Sequence, residues 1–240
     1  MSVNGINMGG VQNIDLSSMD LETALMQVQS QRSQLLEASL QTQLAAVNQR
    51  NQDIAKLNEQ TNGLSSANLD LQTSNVELGT KIAELKDLQG RLAASKCPDD
   101  NGWYGLSWGQ GDDAALSHQT LKQIEDAGLT IPTGDDKPRD VDGNGTMDAK
   151  GKVVQNFVDQ LAGKIAGMEA QMTANNKQID ANKVEIDKNK SAIDTLSNSQ
   201  QMDMLRLQGL TNKRNEAFDV MTNFVKKMQE NRSSIIGNMR

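Results

Sequence analysis

Leucine recurs at every seventh position in the first half of the chain, without a break from Leu57 to Leu92. This spacing puts one apolar line along a supercoiled helix and is typical of a coiled coil. The companion track is polar in its middle, where Thr61, Asn68 and Asn75 take the place of apolar residues. The predicted seam positions of this first helix are Leu57, Leu64, Leu71, Leu78, Leu85 and Leu92.

The last third of the chain repeats the pattern, with spacings of four and three and asparagine in the middle of one track. The two stretches have similar lengths and both have a polar middle, so we predict that they pair antiparallel within one chain. This pairing sets Leu92 near Leu161, Leu57 near Leu196, and Asn75 near Asn175 to Asn182. The predicted seam positions of the second helix are Leu161, Ile165, Met172, Ile179, Ile186 and Ile193.

Proline and glycine divide the chain into four regions. Residues 1–18 are rich in Gly, Asn and Ser and are predicted to be a disordered N-terminus that resembles an export signal. Residues 19–96 and 151–240 lack proline and each predict one long helix. Residues 97–150 hold every Pro, Trp and Tyr and predict a small α+β or loop-rich insert. The predicted fold class is mainly α, with two long helices forming an antiparallel coiled-coil hairpin.

Two features stand out within the central insert. Residues 113–127 have helical spacing, and Gly128 follows where a C′ glycine is common. The aromatic segment from Trp103 to Trp108 is expected to form a short hairpin or an ordered loop and to supply the small core of the insert.

The outer ends of both long helices carry apolar stripes broader than a coiled-coil seam, and the stripe of the second helix is rich in Met. One interpretation is that the two stripes cover each other completely. The other is that they leave apolar surface for self-assembly. The residues expected at contacts between subunits are Leu36, Leu40, Phe218, Met221 and Phe224.

A possible calcium loop lies at the end of the insert. Residues 140–148 match the first nine positions of an EF-hand-like loop, with oxygen ligands expected from Asp140, Asp142, Asn144, Asp148 and the carbonyl of Thr146. The twelfth position is Gly151 instead of the usual bidentate Glu. The sequence therefore predicts no tightly bound cofactor and at most weak calcium binding. The alternative is a polar turn that caps the following helix at Asp148.

Composition and charge exclude several classes of protein. Aromatic residues make up only 2% of the 240 residues, so Leu, Ile, Val, Met and Ala must bury most of the apolar surface. A net charge of −7 argues against binding to nucleic acid, and no stretch has the length and hydropathy of a membrane span. A basic-zipper protein would need a dense basic block before Leu57, which the chain lacks. The sequence contains no catalytic motif, so we do not expect the protein to be an enzyme.

Three short segments carry a resemblance to a known family. IEDAGLTI at 124–131 resembles a helix end in type III secretion needle-tip and filament proteins of the EspA/SseB type. MDAKGKVVQNF at 147–157 resembles the entry to the last helix of the same proteins. IDLSSMDLET at 14–23 is similar to the tip-filament proteins of Bordetella.

The resemblance implies a virulence-associated, extracellular structural subunit that forms a helical homopolymer and links the needle to the translocation pore. The implied partners are copies of the chain, the needle subunit, the pore-forming translocators and an export chaperone. The protein would be secreted to the bacterial surface at the needle tip without a cleaved Sec signal. The alternatives are a cytoplasmic coiled-coil adaptor or chaperone-like binding module, and a flagellin-like or phage structural subunit.

Overall fold

The computed structural model describes residues 21–95, 98–107 and 113–238. The protein is mainly helical, as predicted, and its two long helices pack extensively against each other. The predicted N-terminal region 1–18 lies outside the described residues. The elements in chain order are helix α1 (Leu21–Ala94), strand β1 (Trp103–Gly105), helix α2 (Ala114–Asp126), a 3-10 turn (Gly134–Asp136), strand β2 (Asp148–Lys150) and helix α3 (Gly151–Asn238).

The chain divides into two compact units, and the divisions fall inside α1 and α3. We call residues 62–187 the central unit; it holds the end of α1, the insert and the start of α3. We call the described residues 21–61 and 188–238 the terminal unit; it holds the first part of α1 and the last part of α3.

Buried amides join α1 to α3 in the central unit. Asn182 donates to the side-chain oxygen of Asn68 at 2.8 Å, and Asn175 donates to that of Asn75 at 2.9 Å. The predicted approach of Asn75 to Asn175 is therefore confirmed. Asn68, Asn175 and Asn182 are buried. Both helices thus place amide side chains in the buried contact between α1 and α3, where each amide needs a hydrogen-bond partner at a fixed position.

The core of the central unit lies where the insert meets the long helices. It contains Leu88 and Leu92 near the end of α1, and Val154, Phe157 and Leu161 near the start of α3. The insert adds further apolar side chains to this cluster, namely Leu106, Ile124, Leu129 and Ala149. The core therefore uses aliphatic residues and one phenylalanine from α3.

The aromatic segment of the insert differs from the prediction. Residues 103–105 pair antiparallel with β2, with Tyr104 opposite Ala149, so the strand partner comes from more than 40 residues away and not from a local hairpin. Tyr104 is 53% exposed, while Leu106 is fully buried. The expectation that the aromatic residues form the core is thus wrong for Tyr104. Successive side chains of a strand point to opposite faces of the sheet, which explains why Trp103 and Gly105 are less exposed than Tyr104. Trp108 lies outside the described residues.

Helix α2 is bounded as its sequence predicts. The Asp113 carboxylate accepts from the backbone N–H of Leu116 at 3.0 Å and so satisfies one free donor at the helix start. Gly128 follows the C-cap Ala127 with φ of +64°, a conformation that a Cβ would strain. One face of α2 buries Thr120 and Ile124.

Candidate functional site

The terminal unit contains a seam of partly or fully buried residues that continues the heptad pattern of both helices. On α3 the seam positions after Ile193 are again spaced by four and three, and Asp203 and Ala217 are buried. Apolar, polar and charged residues all occupy this seam. Its later members on α3 are Asp203, Leu207, Leu210, Arg214, Ala217, Met221, Phe224 and Met228.

The residues expected to mediate self-assembly fall into two groups. Leu36, Leu40, Met221 and Phe224 are half-buried and occupy seam positions. Phe218 lies one position after the buried Ala217 and remains 42% exposed. Of the five, Phe218 is therefore the side chain that offers the most apolar surface to another molecule.

Other exposed apolar side chains accompany Phe218 in the terminal unit. Leu44 on α1, with Met204 and Leu205 on α3, are each more than half exposed. Phe218 and Met221 line a groove of about 400 Å³ together with Gln34 and Glu37 of α1. The apolar stripes predicted from the sequence included Leu44 and Leu205, which are exposed here, but not Met204.

A second groove, of about 710 Å³, lies along α3 beside Met204. Leu205, Gln208 and Thr211 line it. Its lining combines apolar side chains with amides and two hydroxyls. Such a surface can contact either an apolar or an uncharged polar partner.

The seam of the terminal unit also contains an ion pair that the heptad pattern did not predict. Arg50 of α1 pairs with the buried carboxylate of Asp203 on α3, and Arg50 also donates to the carbonyl oxygen of Ser199 at 3.4 Å. Neighbouring Gln200 donates to Asn51 at 2.6 Å. Charged residues at heptad positions were the available signal, since Arg50 stands seven residues before Leu57. A pair of this kind favours one alignment of the helices, because a slip would leave a buried charge alone.

The insert brings together three of the predicted metal ligands. Carboxylate oxygens of Asp140, Asp142 and Asp148 lie within 4.8 Å of one another. Asn144 accepts from the backbone N–H of Thr146 at 2.7 Å, and the Thr146 side chain is fully buried. A cation at this cluster would thus be offered three carboxylates. Gly151 begins α3 and supplies no side-chain oxygen at the twelfth position.

The loop is also held by its own hydrogen bonds. Asp140 accepts from the backbone N–H groups of Gly143 at 2.7 Å and Gly145 at 2.9 Å. These amides, with that of Gly145 first, hold the pKa of Asp140 below its usual value. Asp148 accepts from the backbone N–H of Val141 at 3.2 Å and lies in β2. The same contacts suit both a calcium loop and a polar turn.

Among the residues that the structure describes, no helix is both long and apolar enough to cross a membrane. Comparisons of the chain with protein-family models, with curated proteins and with solved structures give no match.

Proposed function

We propose that this protein is a structural subunit that assembles with copies of itself, and that its terminal unit supplies the assembly surface. The observation that carries the proposal is the exposed apolar surface of that unit, where Leu44, Met204, Leu205 and Phe218 are each more than 40% exposed. Long helices lower their free energy by burying such surface against a neighbour. Contacts that do not close on themselves generate filaments.

The finer architecture that we propose for the subunit is an antiparallel coiled-coil hairpin of α1 and α3. In the central unit, Lys86 pairs with Glu169 at 2.7 Å, while Asn68, which is earlier on α1, meets Asn182, which is later on α3. In the terminal unit, Arg50 meets Asp203, while Gln34, which is earlier on α1, lines a groove with Phe218, which is later on α3. This order supports an antiparallel alignment within each unit.

Paired cysteines test the alignment. In a Cys97→Ser background, Asn68→Cys with Asn182→Cys should form an intramolecular disulfide under mild oxidation, because these side chains are in hydrogen-bond contact. Asn68→Cys with Asn175→Cys is the mismatched control, because Asn175 lies seven residues before Asn182, the observed partner of Asn68. Equal crosslinking of both pairs, measured by mass spectrometry, would contradict the hairpin.

We further propose, on the resemblance, that the assembly is an extracellular filament at the tip of a type III secretion needle. Its partners would be further copies of the chain, the needle subunit, the pore-forming translocators and an export chaperone. The helical content and the exposed apolar surface support this proposal, since a homopolymer needs both stiffness and a contact surface. On this proposal the protein performs no catalysis.

Two measurements test the proposed function. Negative-stain micrographs of the purified full chain should show filaments or ring-like tip assemblies, and their absence at all concentrations would contradict self-assembly. Secretion should stop when the type III apparatus is inactivated, and the secreted protein should keep its N-terminal residues by mass spectrometry. A protein that stays in the cytoplasm of secreting cells would instead support the adaptor or chaperone-like alternative.

A further inference from the structure

Charge is distributed unevenly around helix α3 in the terminal unit. On α3, the residues that directly follow the seam positions form two neighbouring rows on one side of the seam. Between Ser197 and Gln229 neither row contains a charged residue. The central members of the two rows are Met204, Gln208, Thr211, Asn215 and Phe218.

The equivalent rows of α1 have the same character. Between Gln27 and Asn51 they contain one charged residue, Glu37. Other members are Ser30, Gln34, Gln41 and Leu44. We call the rows on both helices together the uncharged face.

Residues of both helices meet on this face. Ser30, Gln34 and Gln41 of α1 line one groove with Phe218 of α3. The second groove, beside Met204, opens on the same rows of α3. The uncharged face is therefore one surface built from two helices.

The opposite side of α3 is charged. Arg206, Lys213 and Lys227 each directly precede a seam residue of α3, and all three are exposed. On α1, the positions that directly precede the seam between residues 27 and 51 hold one charged residue, Arg32. The lack of charge on one side is thus a property of α3, while α1 has few charges on either side of its seam.

The chemistry of the uncharged face limits what can cover it. Nucleic acid and anionic membranes require Lys or Arg, which the face lacks. Apart from Glu37, the face offers no counter-charge, so a strongly charged protein surface would lose its hydration here without compensation. Depletion of charge, with exposed apolar and aromatic residues among amides, is characteristic of the interior of a protein interface. Glutamine and asparagine both donate and accept, so a second copy of this face meets their hydrogen-bonding needs.

The net charge of the chain favours the same partner. Residues 98–150 contain 11 acidic and 4 basic residues and so account for the whole net charge of −7. The described residues of the terminal unit contain 9 acidic and 11 basic residues, a net charge of +2. Two copies that meet through their terminal units therefore bring much less like charge together than two copies that meet through residues 98–150.

We infer that a second copy of this chain docks its own uncharged face on the uncharged face of the first, and that this contact is insensitive to salt. The inference rests on the proposed self-assembly and names the surface that makes the first contact. Phe218 and Met204 become buried in that contact, whereas Met202, on the charged side, stays exposed.

The experiment measures the mass of the full chain by light scattering over a dilution series, with three variants. Gln208→Lys and Gln34→Lys place one charge on the uncharged face, and Asn223→Lys places the same charge on the opposite side. All three positions are exposed, so folding should survive and circular dichroism checks it. Each variant on the uncharged face should weaken association at least about tenfold, because a lysine must be desolvated there. Asn223→Lys should associate like the parent.

Two further readouts do not depend on variants. Association of the parent should be the same at about 0.05 and about 0.5 M NaCl, since no ion pair is formed across the contact. Peroxide should oxidise Met204 more slowly in the assembled protein than in the dilute monomer, while Met202, which is 62% exposed, is oxidised equally in both.

The outcomes separate the inference from the proposed function. If the parent assembles and Gln208→Lys and Gln34→Lys assemble equally well, the docking face is wrong and self-assembly stands. Strong weakening by salt, or equal protection of Met202 and Met204, likewise overturns the docking face alone. A parent that stays monomeric at every concentration overturns both.

Discussion

The buried amides between α1 and α3 show how single residues define the contact. Asn182 donates to Asn68, and Gln178 donates in turn to Asn182 at 2.8 Å. A leucine pair at these positions would bury more apolar surface, but it would accept several alignments equally well. The amides therefore lower stability and favour one alignment of the helices.

Removal of one partner of this amide pair should destabilise the protein. Asn182→Ala leaves the buried Asn68 without its donor, and we expect a loss of about 1 to 3 kcal/mol in the free energy of unfolding. The exposed Asn62→Ala is the matched control and should be close to neutral. Urea unfolding followed by circular dichroism measures both. Equal losses for the two variants would show that the buried amide pair contributes nothing.

A cluster of charges in the insert predicts how stability changes with pH. Lys150 donates to Asp136 at 2.6 Å, and Lys152 pairs with it at 2.8 Å. The hydrogen bond from Lys150, followed by that from Lys152, holds the pKa of Asp136 below its ordinary value of 3.8. The folded state therefore favours the carboxylate. This contribution is complete above pH 3.8 and is lost as the pH falls through the lowered pKa.

Asp136→Asn should accordingly lose less stability than the parent on acidification below about pH 4. Unfolding curves at a series of acidic pH values provide the measurement. Parallel losses in parent and variant would assign the acid sensitivity to other carboxylates, such as Asp140.

Calcium should bind weakly to the loop at 140–148. Three carboxylates approach one another there, but Gly151 cannot provide the bidentate ligand that tight EF-hand sites use. Calorimetric titration of the full chain should show no submicromolar affinity, and millimolar calcium should raise the melting temperature only slightly. Asp142→Asn should remove even this effect. Submicromolar binding would require a ligand from elsewhere in the chain.

At the scale of the elements, the long helices contain glycines that their structure does not require. A Cβ on Gly63 would meet no atom within 4 Å. Gly63→Ala should therefore raise the free energy of unfolding by about 0.5 to 1 kcal/mol, because glycine loses more backbone entropy on folding. Gly128→Ala is the opposing control, since its φ of +64° strains any side chain. Thermal unfolding should move the two midpoints in opposite directions.

Helical elements could be predicted from local patterns, and the elements of the insert only in part. Heptads and the absence of proline predicted both long helices, and Asp113 with Gly128 predicted the limits of α2. The pairing of Tyr104 with Ala149 depends on tertiary contacts across the insert, which a three-residue strand does not encode. The uncharged face was missed for another reason. A heptad pattern distinguishes apolar from polar positions but does not show on which side of the seam the charges lie.

At the scale of the whole molecule, charge separates the insert from the long helices. The excess of acidic residues lies entirely within residues 98–150, so packing these segments against each other in a polymer would place like charges in contact. Assembly through the neutral helical parts avoids this repulsion. We therefore expect the insert to stay in solvent in the assembled state.

Amine labelling tests this arrangement. Lys122 and Lys137 belong to the insert and are exposed in the single chain. In assembled and dilute protein alike, both should react with an amine-specific reagent at the same rate, measured by mass spectrometry after proteolysis. Lys213, on the charged side of α3, is a reference outside the insert, since it does not lie on the uncharged face. If Lys122 and Lys137 are protected on assembly while Lys213 is not, the insert makes the contact between copies despite its charge, and the terminal unit loses its assigned role.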